Sequence, residues 1–272
     1  MSNYIRIAGS PATGIVLLGD DGAVRSLGQV GPTPVWLECS QVAGFVRGEA
    51  AFACLLGGAH YATVAHGTAI RYLSALGQPQ ARWKDVASPP AGTGIAGLAG
   101  GPQEGYLLLG ADGRSLYRLA GMADGRGEGS GWKPCAAPPF GDKATLIAGD
   151  WQHGMLALGD GAAAKLASDG TGDTWTALPA PPLAIDMVTG NFEDGFLAYG
   201  EGQLCMLSTG AQPSWSRLAI PNFDVRALSG NPAHGLAAVL ADSSGDGTLV
   251  AYALRPGREA WSLALAPQAR RR

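Results

Sequence analysis

The sequence of 272 residues is poor in charge: Asp, Glu, Lys and Arg make up 15% of it, against about 25% in a typical soluble domain. A formal net charge of -3 provides no global field to gather a polyanion, so nucleic acid is not an expected partner. No apolar run approaches the ~20 residues that cross a bilayer, and Met1-Ser-Asn-Tyr-Ile-Arg6 lacks the basic-then-apolar order of a secretory leader. The expectation is a cytoplasmic protein without membrane insertion. The four cysteines, Cys39, Cys54, Cys135 and Cys205, have no C-x-x-C spacing, which argues against zinc and redox centres. A Walker loop, a G-x-S-x-G elbow and an H-E-x-x-H pair are all missing. The four histidines, His60, His66, His153 and His234, fall in separate stretches with no metal-ligand spacing. No metal or cofactor is therefore expected.

What the chain has in quantity is repetition. Trp36, Trp83, Trp132, Trp175, Trp215 and Trp261 each precede a short apolar run, and they are separated by 47, 49, 43, 40 and 46 residues. A period of this size is that of a copied supersecondary unit. A second landmark, Gly-x-x-x-x-Gly, begins at Gly9, Gly100, Gly149, Gly190 and Gly230. An apolar run such as Tyr106-Leu-Leu-Leu or Phe196-Leu-Ala-Tyr follows each one. Runs this short, bounded by glycine, read as buried strands. Acid-glycine pairs come next, at Asp21-Gly22, Asp112-Gly113, Asp160-Gly161, Glu201-Gly202 and, after a longer loop, Asp246-Gly247. They supply the positive φ of tight hairpins. A third strand and the tryptophan-led fourth complete a four-stranded meander. The 42 glycines and 18 prolines are thus turn punctuation.

The second copy is degenerate: Phe45-Val-Arg-Gly48 stands for its first strand and Phe52-Ala-Cys-Leu-Leu56 for its second. Six meanders of 40 to 49 residues that cannot bury both faces alone stack radially into a β-propeller. The expected fold is all-β, a six-bladed propeller forming one domain over 1–272. Its blades span about 1–40, 41–90, 91–140, 141–182, 183–221 and 222–267, and a basic tail occupies 268–272.

Ser168-Asp-Gly-Thr-Gly-Asp-Thr-Trp175 resembles the Asp-box, S-x-D-x-G-x-T-W, of BNR repeats, with its aspartate displaced by one position. The repeat as a whole resembles those of photosystem II assembly-factor-like and sortilin-type propellers. The resemblance implies a brace between third and fourth strands, remote from any active site. Sialidases also carry Asp-boxes on propellers, and Arg6-Ile7 faintly echoes their R-I-P element, so a glycoside hydrolase or carbohydrate-binding lectin is the alternative function. Such a site needs an arginine cluster and a carboxylate-activated tyrosine; Arg71, Arg226 and Arg255 could be enlisted for it only by choice.

Gly92-Thr-Gly-Ile-Ala-Gly97 fits the dinucleotide pattern but leads into a strand, whereas that chemistry needs a helix N-terminus. The acidic pairs Asp169 with Asp173, Asp124 with Glu128 and Asp242 with Asp246 read as turn formers rather than calcium ligands. Two features remain. Asp186 and Arg226 lie four residues before Gly190 and Gly230, where other copies carry Ile5, Ala96 and Thr145. They are expected to meet across neighbouring blades or in the channel. At the third position of the glycine-bounded turns stand Pro11, Pro102, Trp151, Phe192 and Pro232. Trp151 and Phe192, rimmed by His153, Glu193 and Asp194, have the composition of a binding hot spot. The functional expectation is a non-catalytic scaffold that binds a protein partner through a loop face.

Overall fold

The computed structural model describes residues 4–29, 35–42, 44–46, 54–58, 61–78, 81–121, 131–140, 143–168, 172–219, 224–241, 249–253 and 261–265. Blade one contains β1 (Tyr4–Ser10), β2 (Gly14–Gly19), β3 (Ala23–Gln29) and β4 (Val35–Gln41); blade two contains β5 (Cys54–Gly58), β6 (Tyr61–His66), β7 (Ala69–Ser74) and β8 (Trp83–Asp85). Blade three contains β9 (Ile95–Gly101), β10 (Gly105–Gly110), β11 (Leu116–Ala120) and β12 (Lys133–Pro134); blade four contains β13 (Leu146–Asp150), β14 (Gly154–Gly159), β15 (Ala162–Ser168) and β16 (Asp173–Leu178). Blade five contains β17 (Met187–Asn191), β18 (Gly195–Gly200), β19 (Gln203–Ser208) and β20 (Ser214–Leu218); blade six contains β21 (Val225–Asn231), β22 (Gly235–Leu240), β23 (Leu249–Ala253) and β24 (Ser262–Leu265). Each blade is an antiparallel sheet in chain order. The six inner strands surround a channel, and β21 packs beside β1, so the ring closes with every blade contiguous in sequence. Among the described residues there is no helix, and hence none long and apolar enough to cross a membrane.

Hydrophobic burial is divided among the six seams between blades. Along β2, Ile15 and Leu17 face blade six, while Val16 and Leu18 face blade two. A strand buried on both faces needs apolar residues at every position, which is why these runs do not alternate. Every seam takes one tryptophan from the outer strand of its later blade: Trp36, Trp83, Trp132, Trp175, Trp215 and Trp261. Four of the indoles also donate to the preceding blade, in or just beyond its outer strand: Trp83 to Ser40 Oγ (3.0 Å), Trp132 to the Ala87 carbonyl (2.7 Å), Trp175 to the Ala136 carbonyl (3.2 Å) and Trp215 to the Pro179 carbonyl (2.9 Å). Each acceptor lies four residues beyond the preceding tryptophan. The sequence period thus recurs as equivalent clamps in four of the seams.

The acid-glycine hairpins form as expected in blades four and five, where Asp160 (φ 50°) with Gly161 and Glu201 (φ 49°) with Gly202 take positive φ. Blade two requires a correction. The Phe52–Leu56 run ends in its first strand, β5, and the segment after it holds β6 and β7. Without the glycine-bounded turn there is no landmark between first and second strands, and both are apolar because both line seams. Phe45 lies outside the strands and stacks on His66 with ring centroids 4.2 Å apart; Arg47 and Gly48 lie outside the described residues. So do the tail at 268–272 and Asp169, Asp124, Glu128, Asp242 and Asp246 of the acidic pairs.

Candidate functional site

The five Gly-x-x-x-x-Gly turns join first to second strands and therefore gather at one mouth of the channel. Their geometry is local chemistry. The last residue of the inner strand is Ser10, Asp150, Asn191 or Asn231, and its side-chain oxygen accepts the backbone N–H three residues on. The bonds are Thr13 to Ser10 Oγ (3.1 Å), His153 to Asp150 Oδ1 (2.8 Å), Asp194 to Asn191 Oδ1 (2.8 Å) and His234 to Asn231 Oδ1 (2.7 Å). Short polar side chains close such turns readily. The preceding glycine is required: Gly190 sits at φ 117°, and a Cβ there would collide with the Gly195 carbonyl.

With the turns locked, their side chains meet across the seams. His153 places Nδ1 3.0 Å from Asp150 Oδ1 and Nε2 3.4 Å from Glu193 Oε2 of blade five. Asp194 Oδ2 receives Asn191 Nδ2 (3.3 Å) and, from blade six, Asn231 Nδ2 (3.1 Å), with His234 Nδ1 at 3.4 Å. The N–H of Ala12 reaches the His234 carbonyl (3.3 Å), extending the belt to blade one. Glu104 of blade three completes it electrostatically. Burial and the charge of Asp150 raise its pKa, partly offset by His153. His153 is itself raised, first by its hydrogen bond to Asp150 and then by the charges of Asp150, Glu193 and Glu104. His153, Glu193 and Asp194, singled out in the sequence, thus come together. Asp150, Asn191, Asn231, His234 and Glu104 were missed. Their signal was a polar residue directly after the first glycine and another directly before the second.

Trp151 and Phe192 turn back onto the seams. Trp151 packs half-buried on the seam between blades three and four, its indole N–H has no hydrogen-bond partner, and the Arg118 guanidinium lies over its ring at 4.7 Å. Phe192 packs on the next seam, edge-on to Phe196 at 4.8 Å, under Lys165 Nζ at 4.3 Å. Arg118 and Lys165 occupy equivalent register positions, opposite Leu107 and Leu156. The cation of one blade therefore caps the aromatic ring of the next.

The channel encloses roughly 600 Å³, and its charged lining consists of Arg6, Asp150, Asp186 and Arg226. Asp186 and Arg226 lie at the starts of their inner strands, at the mouth opposite the turns. Arg226 is the extra residue of a β-bulge, unpaired between Val225 and Ala227, just as Ile5 and Ala96 are in their own blades. A bulge re-aims its side chain. Both heads are exposed, and no hydrogen bond or ion pair joins them among the described residues.

A sialidase-like constellation is not assembled among the described residues. Arg71 is on β7, 3.2 Å from Asp85, Arg226 faces the far mouth, and Arg255 lies outside the described residues. Tyr61, also at the turn mouth, has its pKa raised by burial and by the charge of Glu104, which opposes phenolate formation. Among the described residues no group of acidic, histidine and cysteine side chains has metal-binding geometry. The Cys135 thiol is pushed up to about 12, chiefly by burial.

No family model matches the sequence, and no curated protein matches it. Several solved structures are similar in shape. A streptogramin B lyase superposes with TM-score 0.57 at 13% identity, covering 98% of this chain and 84% of that one. YCF48 from Cyanidioschyzon merolae gives 0.53 at 12% identity, covering 97% and 85%. YCF48 bound to a D1 peptide gives 0.54 at 11%, covering 88% and 76%. What they share with this chain is the propeller fold. At these identities the likeness extends to fold and stops short of function.

Proposed function

We propose that this protein is a non-catalytic propeller scaffold that docks a protein partner on its turn face. The observation that carries the reading is the polar belt there, to which blades four, five and six contribute side chains on capped turns and blade three adds the charge of Glu104. Preorganised groups bind at low ordering cost. The residues offered to the partner are His153, Glu193 and Asp194, with the accessible edges of Trp151 and Phe192. Two likenesses support the reading: a propeller of similar shape, YCF48, carries a D1 peptide, and the repeats resemble those of assembly-factor-like and BNR propellers. The runner-up is a carbohydrate ligand or substrate, suggested by the channel cavity with Tyr61 and Glu104 at its mouth.

The test is affinity capture from the native host with wild-type protein, a Glu104→Lys/Glu193→Lys variant and an Arg226→Glu variant. Glu193 is 64% exposed, so reversing it leaves the fold intact. Loss of a specific captured protein with the first variant and its retention with the second is the expected result. Retention with the first and loss with the second moves the docking surface to the far mouth. Saturable sugar binding or sugar hydrolysis by the wild-type protein replaces the scaffold reading altogether.

A further inference from the structure

We infer that the turn face is a proton-sensitive clasp, in which His153 and His234 each add one link, from blade four to five and from blade six to five, when protonated and withdraw it when neutral. The inference concerns the fold itself and holds whether or not a partner docks there.

The chemistry follows from what each ring nitrogen faces. His153 Nδ1 lies 3.0 Å from Asp150 Oδ1. A carboxylate oxygen only accepts, so Nδ1 carries a hydrogen whether the ring is charged or neutral. In the neutral ring Nε2 is then a bare lone pair, facing Glu193 Oε2 at 3.4 Å. Two acceptors repel. Only the imidazolium places an N–H in that gap, so the link from blade four to blade five exists only when His153 takes up a proton from solvent.

His234 uses one nitrogen for two incompatible partners. Its Nδ1 is 3.1 Å from Asn231 Nδ2 and 3.4 Å from Asp194 Oδ2. The Asn231 amide orientation is set by its oxygen, which accepts the His234 backbone N–H at 2.7 Å. Its Nδ2 is therefore a donor. A neutral His234 accepts from Asn231 within its own turn, whereas a protonated one donates to Asp194 of blade five. Asn231 Nδ2 retains Asp194 Oδ2 as partner in either state, at 3.1 Å.

The groups facing the two rings are Asp150, Glu104 and Glu193 around His153, and Asp194 and Asn231 around His234. The neighbouring cations, Arg118 and Lys165, lie over Trp151 and Phe192. With His153 neutral, Asp150, Glu104 and Glu193 surround one uncharged ring across three blades; its protonation offsets one of those charges. The raised His153 pKa agrees in sign. A group raised in the folded state contributes stability that is complete below its ordinary value, about 6.5, and that disappears as pH rises through the higher folded value.

The test is a histidine Cε1–H NMR titration of the whole chain as wild type, Glu193→Gln and Asp194→Asn, paired with thermal melts at about pH 5.5 and 8, either side of ordinary histidine titration. Glu193→Gln is expected to lower the His153 midpoint by a few tenths of a unit, whereas Asp194→Asn is expected to leave it in place. The melting temperature of a His153→Gln/His234→Gln variant is expected to fall less than wild type between the two pH values. A His153 midpoint indifferent to Glu193→Gln, or a double variant with the wild-type pH slope, overturns the clasp.

Discussion

Blades four and five are joined twice, at the outer rim and at the turn face, and the two kinds of link have opposite character. At the rim, an uncharged indole N–H donates to a backbone carbonyl just beyond the preceding outer strand while its ring closes an apolar seam. At the turn face, imidazole and carboxylate meet at 3.4 Å across partly solvated gaps. Neutral bonds backed by apolar burial are insensitive to pH and salt, while exposed ionic contacts are weak and responsive to both. Stability is thereby kept at the rim, and the presentable surface sits where adjustment costs little.

The largest expected effect tests the rim. Trp132→Ala removes a seam-filling ring and should cost about 3–5 kcal/mol, while Trp132→Phe, losing the bond to the Ala87 carbonyl, should cost about 1 kcal/mol. Urea unfolding should give the same values at acidic and alkaline pH; a pH-dependent loss would erase the distinction between rim and face. An intermediate effect is expected from the two turn aromatics. Trp151→Ala and Phe192→Ala should each cost about 1–3 kcal/mol through lost burial, and Lys165→Met about 0.5–1 kcal/mol through the cation lost over Phe192. If partner capture falls instead while the melting temperature holds, the rings are contact residues rather than seam covers. The smallest effect belongs to the far mouth. In a double-mutant cycle of Asp186→Asn and Arg226→Gln, the coupling should lie below about 0.5 kcal/mol and disappear in high salt, because both heads are exposed. A coupling above about 2 kcal/mol would mean a desolvated pair and a third kind of inter-blade link.

The fold was legible because each of its causes is local. Tryptophan spacing, glycine-bounded turns and doubly apolar runs name the strands wherever a copy keeps its punctuation. In blade two, where the Gly-x-x-x-x-Gly landmark is missing, strand order could not be read from hydrophobicity. The site was only half legible. Trp151 and Phe192 were conspicuous by type, but burial on a seam and a cation from the preceding blade depend on residues some thirty residues upstream, Arg118 and Lys165.

The histidines show the division most clearly. His153 and His234 each directly precede the second glycine of a Gly-x-x-x-x-Gly turn, a likeness written within six consecutive residues though the sequence reading passed over it. Only radial closure brought Glu193 against His153 and Asp194 against His234. Their separation is decided by how blades pack, and the long-range balance of seam burial that sets this packing leaves no mark on any short stretch of chain.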